Sequence, residues 1–213
     1  DEIYEEEEEE EEIIEMEHTP MKPNLLSHGE VVALSERNIS LDTCETYGVT
    51  VTTNRFKHYY PYYNEEGEWV ANKIRLTDME GGKSFATNGE WEEATLFGQN
   101  TCRKQGKYIT LCEGELDALS AYQMMGSKWP VVSIKNGAGS AIKDIEKSFE
   151  FLMGFENIVI CFDNDKVGKT ASKKIAELLA PKAKVMKLKL KDANDYLMAN
   201  KTDEFMNCWW SAE

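Results

Sequence analysis

The segment IVICFDNDKVGKTASKKIAELL, Ile158–Leu179, carries the clearest signal of the fold, because an apolar run ends on two aspartates and passes into a helix-like pattern. The continuous run Ile158–Phe162 is typical of a strand that is buried on both faces of a parallel sheet. Asp163 and Asp165 then follow the carboxyl end of this strand, where open α/β sheets bind ligands. Pro181 stops the helix. Helical spacing predicts that its buried face comprises Val167, Ala171, Ile175, Leu178 and Leu179.

Strands and helices alternate on both sides of this stretch. Upstream, YITLCE and PVVSI are strand-like, and each is followed by a helical pattern, the second of which predicts one helix over residues 139–154. Downstream, AKVMKLKL predicts a fourth strand, followed by two further helices. This alternation predicts the α/β class, with a mostly parallel sheet flanked by helices.

The part of the chain before residue 107 has a different pattern. Two short helices split near Asn38 precede the strand-like runs FKHYYPYYN and EWVANKIRLTD, whose NEEG connection suits a hairpin turn. Ser40 and Gly48 are suited to cap the second helix. We predict an acidic tail or linker at 1–20, an α+β N-terminal subdomain at 21–106 and the α/β domain at 107–213.

The net charge of −15 is concentrated near the beginning of the sequence. Of the 39 acidic side chains, 12 lie in residues 1–17, which leaves 27 acids against 24 bases in the rest. Such a run of like charges repels itself, so we expect a solvated linker or end, with a polyanion mimic as the alternative. Since the rest of the chain is nearly neutral, we expect it to bind a nucleic-acid strand weakly.

Composition argues against several classes of protein. No apolar run approaches the roughly 18 residues of a membrane span, and no secretory signal opens the chain, so we expect no membrane partner. The five cysteines form no CxxC pair, which argues against a zinc site and a disulfide framework and favours a reducing, cytoplasmic compartment. They are Cys44, Cys102, Cys112, Cys161 and Cys208.

Three familiar motifs fit part of the FDNDKVGKT string, and each meets an objection. A P-loop needs a glycine where Asp163 stands. A calcium loop needs an oxygen ligand at Val167 and a glutamate at Lys174. A phosphatase of the haloacid-dehalogenase type has this DxDxV pattern, but its motif opens the domain, whereas here two strand–helix units precede it and only 48 residues follow Asp165.

A fourth interpretation uses the other strand ends. Glu113 follows the first strand, the glycine-rich loop Lys135–Gly139 follows the second, Asp163 and Asp165 follow the third, and Asp192 follows the fourth. Clustered carboxylates repel one another unless a cation lies between them, so the pattern favours a divalent metal site for Mg²⁺ or Mn²⁺. Helix caps and salt bridges are the structural alternative.

The Glu-Gly strand end, the glycine loop and the DxD strand end, in this order, resemble the TOPRIM domain shared by primases, topoisomerases and some nucleases. VANKIR, GKSF, LFG, EGELDAL, FDND and KDAND follow one another as in the RNA polymerase domain of the primase–helicases of short-tailed phages. The resemblance covers roughly residues 30–212. It implies a DNA primase core that makes short RNA primers on single-stranded DNA from ribonucleoside triphosphates, by nucleotidyl transfer supported by two Mg²⁺ or Mn²⁺ ions.

The resemblance also implies roles for particular residues. Glu113, Asp163 and Asp165 are expected to be catalytic, and these three together with Asp192 are the expected metal ligands. Ala86 departs from the family pattern, which favours a basic residue at this position. The expected nucleotide- and phosphate-binding residues are Lys73, Arg75, Lys83, Lys135, Gly137, Gly139 and Lys169.

The resemblance implies a replicative helicase and a zinc-ribbon domain as partners, on the same polypeptide or as separate chains, and action in the cytoplasm of a host. Two alternatives stay open, a catalytically idle TOPRIM module that binds DNA or a helicase, and a TOPRIM nuclease. One aromatic run is expected either to stack on template bases or to be ordinary sheet. It comprises Phe56, Tyr59, Tyr60, Tyr62 and Tyr63.

Overall fold

The computed structural model describes residues 28–213, so the acidic tail or linker predicted at 1–20 lies outside the described residues. Two four-stranded sheets form the scaffold, one antiparallel with the order β1-β2-β3-β4 and one parallel with the order β6-β5-β7-β8. The parallel sheet with helices on its faces confirms the predicted α/β class. Within the described part of the chain, no helix is both long and apolar enough to cross a membrane.

The antiparallel sheet follows a short helix that is capped as the sequence predicts. The Ser40 hydroxyl accepts a hydrogen bond from the Thr43 amide, and Gly48 ends the helix in the left-handed region. The helix predicted before Asn38 is wrong. Only one 3₁₀ turn forms there, and it ends at Asn38, whose φ is 55°. The elements are α1 (Leu41–Tyr47), β1 (Thr50–Val51), β2 (Lys57–Tyr63), β3 (Trp69–Thr77) and β4 (Lys83–Gly89).

The parallel sheet has β5 at its centre, between β6 and β7. The prediction of a single helix over residues 139–154 is wrong. Ser148, with φ −102° and ψ 18°, lies outside the helical region and separates two shorter helices. The elements are β5 (Gly106–Cys112), α2 (Glu115–Met124), β6 (Val131–Ser133), α3 (Ala141–Lys147), α4 (Phe149–Met153), β7 (Phe155–Cys161), α5 (Lys166–Leu178), β8 (Ala183–Val185), α6 (Ala193–Met198) and α7 (Thr202–Trp210).

Each face of the parallel sheet packs against its own group of helices. Side chains alternate along β7, so Val159 and Cys161 join the core that contains α2, α6 and α7, whereas Ile158 and Ile160 join the core that contains α3, α4 and α5. All five cysteines are free thiols. Because helices cover both faces, a ligand can approach this sheet only at the ends of its strands, and the acidic residues follow the carboxyl ends.

The buried face of helix α5 differs from the one that its apolar residues predict. Ala171, Ile175 and Leu179 are buried as expected, but Val167 and Leu178 are 59% and 36% exposed. The small residues Gly168 and Ser172 take the buried positions instead. A Cβ atom on Gly168 would lie 2.3 Å from the Asp163 carbonyl oxygen, so only glycine allows this approach.

We expect Gly168→Ala to lower the free energy of unfolding by about 1–3 kcal/mol, because the added methyl group meets main-chain atoms that cannot move freely. Helix propensity alone predicts the opposite sign, a gain of about 1 kcal/mol. Urea unfolding followed by circular dichroism measures the difference. Gly139→Ala is the matched control, since a Cβ there meets nothing within 4 Å. Stabilisation by Gly168→Ala would contradict the close approach of α5.

Candidate active site

A cleft of about 570 Å³ lies between the two sheets, at the carboxyl ends of the parallel strands. The antiparallel sheet supplies basic side chains to one wall, and the segments that follow the parallel strands supply acidic side chains to the other. The charged residues that line it are Arg37, Lys73, Arg75, Lys83, Glu113, Glu115, Asp117, Lys135, Asp163, Lys191 and Asp192.

Three aspartates form the acidic cluster of this cleft. Asp117, Asp163 and Asp192 each place a carboxylate oxygen within 4.8 Å of the others. Asp163 follows β7, Asp117 lies in the first turn of α2, and Asp192 caps α6 by accepting a hydrogen bond of 2.8 Å from the Asp195 amide. Carboxylate oxygens at this spacing are the donor set that a hard divalent cation takes, so the residues present fit a metal such as Mg²⁺.

Mutual repulsion and burial alter the titration of the cluster. Burial, with the charges of Glu113 and Asp192, raises the pKa of Asp163 to about 6. Burial, with the charges of Asp192 and Asp163, also raises the pKa of Asp117 well above its usual value. Lys191 offsets part of the charge, as its Nζ lies 3.4 Å from Asp192 Oδ2 and 3.9 Å from Asp163 Oδ2. The negative charge that remains favours a bound cation.

The other two predicted catalytic acids lie differently. Glu113 borders the cluster, where its Oε2 accepts a hydrogen bond of 3.3 Å from the Asp163 amide, and burial raises its pKa. Asp165 caps α5, since its Oδ1 accepts a bond of 2.8 Å from the Gly168 amide, and it is not in the three-aspartate cluster. Lys169, on the same helix, lines a separate cleft beside β8. The predicted roles of Asp165 and Lys169 stay predictions.

The basic wall is carried by β3 and β4. Lys73 and Arg75 lie two residues apart on β3, and their charged groups stand 5.2 Å and 5.9 Å from the centre of the Phe85 ring. Lys83, at the start of β4, is exposed and lines the same cleft, and no carboxylate of residues 28–213 pairs with it. Ala86 also lines the cleft and contributes no charge. The wall therefore offers cations to a phosphate group.

A buried ion pair fixes this wall to the acidic side. Lys73 Nζ donates bonds of 2.8 Å to Glu115 Oε1 and to the Lys135 carbonyl oxygen. The Tyr62 hydroxyl donates a bond of 2.5 Å to the same Glu115 oxygen, and Glu115 is only 5% exposed. Tyr62 and Lys73 belong to the antiparallel sheet and Glu115 begins α2, so the pair joins the two halves of the cleft.

The glycine-rich loop after β6 has two distinct parts. Lys135 is buried, and its Nζ donates to the carbonyl oxygens of Trp91, at 3.2 Å, and Ala94, at 2.9 Å. Gly137 has a φ of +73°, and a Cβ on either Gly137 or Gly139 would meet nothing within 4 Å. The open backbone therefore suits an approaching phosphate, whereas the Lys135 ammonium is already engaged by carbonyl groups.

Sequence reasoning missed four charged residues that line the cleft, namely Arg37, Glu115, Asp117 and Lys191. One signal was available, since Asp117 in EGELDAL falls in the first turn of the helix that directly follows Glu113, and this turn starts at the end of the strand where the acids gather. Tyr62 belongs to the aromatic run that was expected either to stack on bases or to form sheet. Tyr60 and Tyr62 are fully buried, which favours the sheet interpretation for both.

Comparisons with known proteins point to one family. Residues 110–197 match the family model described as Toprim-like. The DNA helicase/primase of Enterobacteria phage T3 is 33% identical over 189 residues, which cover 87% of this chain and 32% of that protein. The chain thus spans about a third of the length of this curated relative.

Solved structures agree with the sequence match. The crystal structure of the primase fragment of the bacteriophage T7 primase–helicase has a TM-score of 0.77 and 33% identity, covering 85% of this chain and 75% of that one. A second structure contains T7 primase domains with the lagging-strand DNA polymerase, an RNA/DNA hybrid and dTTP. It has a TM-score of 0.75 and 32% identity, with coverage of 86% and 93%.

We expect Asp163→Asn to stabilise the metal-free protein at pH 7.5 by about 1–3 kcal/mol. In the folded protein the pKa of Asp163 is raised to about 6, above its value of about 3.9 in the unfolded chain. Ionisation therefore costs stability progressively as pH rises between these values, and the penalty is complete above pH 6. Denaturant unfolding with a chelator measures the gain, which should vanish as pH falls toward 4.

Asp195→Asn is the matched control for this experiment, because it removes the same charge from an exposed side chain of α6. It should show no comparable gain at pH 7.5. Destabilisation by Asp163→Asn across the whole pH range would mean that the carboxylate is held by attractive contacts rather than by repulsion.

The buried ion pair makes a second prediction, testable by a double-mutant cycle. Lys73→Met and Glu115→Gln should each cost about 3–5 kcal/mol, because each leaves a buried partner uncompensated. The double variant should cost clearly less than the sum, with a coupling energy of about 1–3 kcal/mol from denaturant unfolding. Additive losses would show that the two side chains act independently.

Proposed function

The chain belongs to the TOPRIM-type primase family represented by the primase domain of the T7 primase–helicase, and from this premise we propose that it is a DNA primase catalytic core. It joins ribonucleotides into short RNA primers on a single-stranded DNA template. The observation that carries the proposal is the cluster of Asp117, Asp163 and Asp192, which faces the basic side chains of β3 and β4 across one cleft.

The acidic side of the cleft suits nucleotidyl transfer. Divalent cations held by Asp117, Asp163 and Asp192 would neutralise phosphate charge and lower the pKa of an attacking hydroxyl. We assign Mg²⁺ or Mn²⁺ to this role, and a second ion with Asp165 as a further ligand is part of the proposal. Since the cluster is a site for oxygen ligands only, zinc is not proposed there.

Glu113 is the residue we assign to proton removal. Attack of the 3′-hydroxyl on the α-phosphate forms a P–O bond, releases pyrophosphate and requires the hydroxyl proton to leave. Glu113 lies beside Asp163 but outside the three-aspartate cluster, so its carboxylate stays available as an acceptor. Burial raises its pKa, which makes it a stronger base than an ordinary carboxylate.

The basic wall suits the triphosphate of a ribonucleotide and the phosphates of the template. We assign this contact chiefly to Arg75 and Lys83, because Lys73 is held by Glu115 and serves first to position the wall. Gly137 and Gly139 expose backbone on the opposite side, where a phosphate can approach without meeting a side chain. Lys135 is left out of the set, since its ammonium is bonded to carbonyl groups.

The relatives suggest the partners. The phage T3 relative is described as a helicase as well as a primase, and the T7 primase domains were solved with an RNA/DNA hybrid and dTTP. We propose that this chain takes single-stranded DNA and ribonucleoside triphosphates, and that it works with a helicase and a zinc-ribbon domain, on the same polypeptide or on separate chains. Action in the host cytoplasm stays a prediction.

The two alternatives are a TOPRIM module without activity and a TOPRIM nuclease. Retention of Glu113, Asp163 and Asp192 around one cleft favours an enzyme over an idle module. One reaction separates all three, namely single-stranded DNA, Mg²⁺ and labelled ribonucleotides, scored for short RNA products and for DNA cleavage. RNA synthesis supports the primase, whereas cleavage alone or no reaction would support an alternative.

Asp192→Asn should lower primer synthesis by two to three orders of magnitude or more, because it removes one of three carboxylates that hold the metal. The rate of RNA formation on a single-stranded template, with Mg²⁺ in excess, measures the loss. Asp195→Asn, three residues further on α6, removes the same charge outside the cleft and should keep nearly full activity. Equal activity of the two variants would refute the metal assignment.

Lys83→Gln should raise the KM for ribonucleotides about tenfold or more with a smaller change in kcat, because it removes phosphate binding without touching the acidic cluster. The control is Lys57→Gln, at another exposed lysine of the antiparallel sheet, which does not line the cleft. If both variants have the same KM as the unchanged protein, Lys83 lies on a solvated face and binds no nucleotide.

A further inference from the structure

A second cleft, of about 440 Å³, lies at the opposite end of the parallel sheet from the acidic cluster. It is formed by the segment that enters β5 and the segment that enters β6, and Tyr122 of α2 forms part of its wall. Nothing in the proposed reaction uses this end of the sheet. The residues on which its chemistry depends are Arg103, Lys107, Tyr108, Lys128 and Trp129.

The charge of this second cleft is entirely positive. Arg103, Lys107 and Lys128 line it and are exposed, and none of its lining residues is a carboxylate. Among residues 28–213, none of the three cations forms an ion pair with an acidic side chain. Outside residues 1–17 the chain has 27 acidic and 24 basic side chains, so three cations in one cleft without a carboxylate are a local excess of positive charge that is suited to an anion.

Aromatic rings lie between the cations. Lys107 Nζ stands 5.8 Å from the centre of the Tyr108 ring, and Lys128 Nζ stands 5.0 Å from that of Trp129. The two rings meet edge to face at 5.2 Å, and Trp210, 60% exposed, lies 6.0 Å from Tyr108. Cations alternating with partly open aromatic rings are the combination that single-stranded nucleic acids use, phosphates on the cations and bases on the rings.

We propose that this second cleft binds single-stranded DNA at a point remote from the catalytic cleft. Trp209 stacks on Trp129, so the ring that remains open to a base is chiefly Trp210. An acidic polypeptide would satisfy the cations but would leave this exposed ring unused, which favours the nucleic acid. Strand β5, with seven residues, separates the two clefts by about 23 Å. Helices cover both faces of the sheet, so a nucleic-acid strand that reaches from one cleft to the other passes around them and needs more than the roughly seven nucleotides that this distance takes at about 3.4 Å per nucleotide. The identification of the bound strand as a primase template rests on the proposed function.

The test is a binding measurement on the full chain without nucleotides and with a chelator. Fluorescence anisotropy of labelled oligothymidylate of about 20 nucleotides, long enough to reach both clefts, gives the Kd between about 50 and 200 mM salt. For Lys107→Gln/Lys128→Gln we expect weaker binding and a salt slope reduced by about 1.4, which makes the loss of affinity about sevenfold larger at 50 than at 200 mM salt.

The matched control is Lys173→Gln/Lys174→Gln, which removes the same charge from two exposed residues of α5 on the other face of the sheet. Photocrosslinking with 5-iodouracil at successive positions is the second readout, and we expect adducts on Tyr108, Trp129 or Trp210 as well as at the catalytic cleft. Equal Kd and salt slope for the two double variants would overturn the proposal. So would adducts confined to the catalytic cleft.

The DNA-binding test of the second cleft and the RNA-synthesis test of the proposed function can fail independently. Binding is measured without synthesis, so a chain that binds DNA through this cleft but makes no RNA contradicts only the primase assignment. A synthetic peptide of residues 1–17 tests the competing occupant. If this acidic peptide binds in a manner that depends on Lys107 and Lys128 while DNA binding does not, the cleft receives acidic polypeptide and the proposal is wrong.

Discussion

Parallel pairing of β5 with β7 forces together groups that repel one another. The register aligns Cys112 with Cys161, so Glu113 and, one residue further along its own strand, Asp163 leave the same end of the sheet, where the Asp163 amide donates a bond of 3.3 Å to Glu113 Oε2. Backbone hydrogen bonds and two apolar cores hold the strands in this register, and the carboxylates cannot separate without breaking it. Helices α2 and α6 then add Asp117 and Asp192 to the same place. The fold thus maintains a concentration of negative charge that a bound divalent cation relieves.

The antiparallel sheet turns this acidic edge into a two-sided cleft. Lys73 crosses to Glu115, and the Tyr62 hydroxyl completes the bonding of that buried carboxylate. Because Lys73 shares its strand face with Arg75, anchoring the one places the other over the cleft. Opposite charges on the two walls are what a nucleotide requires, with its phosphates bound by cations on one side and its reacting centre near metal ligands on the other.

Much of the fold could be predicted because strand and helix periods are local properties of the sequence. The run Ile158–Phe162 and the acids at strand ends gave the parallel sheet and the position of the cleft. Asp117 was missed because its place depends on α2 packing beside α6. These segments are far apart in the sequence, as the bond of 3.3 Å from the Asn194 amide to Asp117 Oδ1 shows, since it joins residues 77 positions apart. The prediction of the buried face of α5 was partly wrong, because Gly168 is buried by the close approach of the helix to the Asp163 main chain and not by hydrophobicity.

We propose that Asp117, Asp163 and Asp192, which come from three separate segments, form one divalent metal site. Isothermal titration of Mn²⁺ into the metal-free chain, compared with Asp117→Asn, tests it most directly, because Asp117 was assigned from its position in the structure alone. We expect saturable binding that this substitution weakens about tenfold or more, because it removes one charged ligand. Equal affinity of the two proteins, or no binding by the unchanged chain, would contradict it.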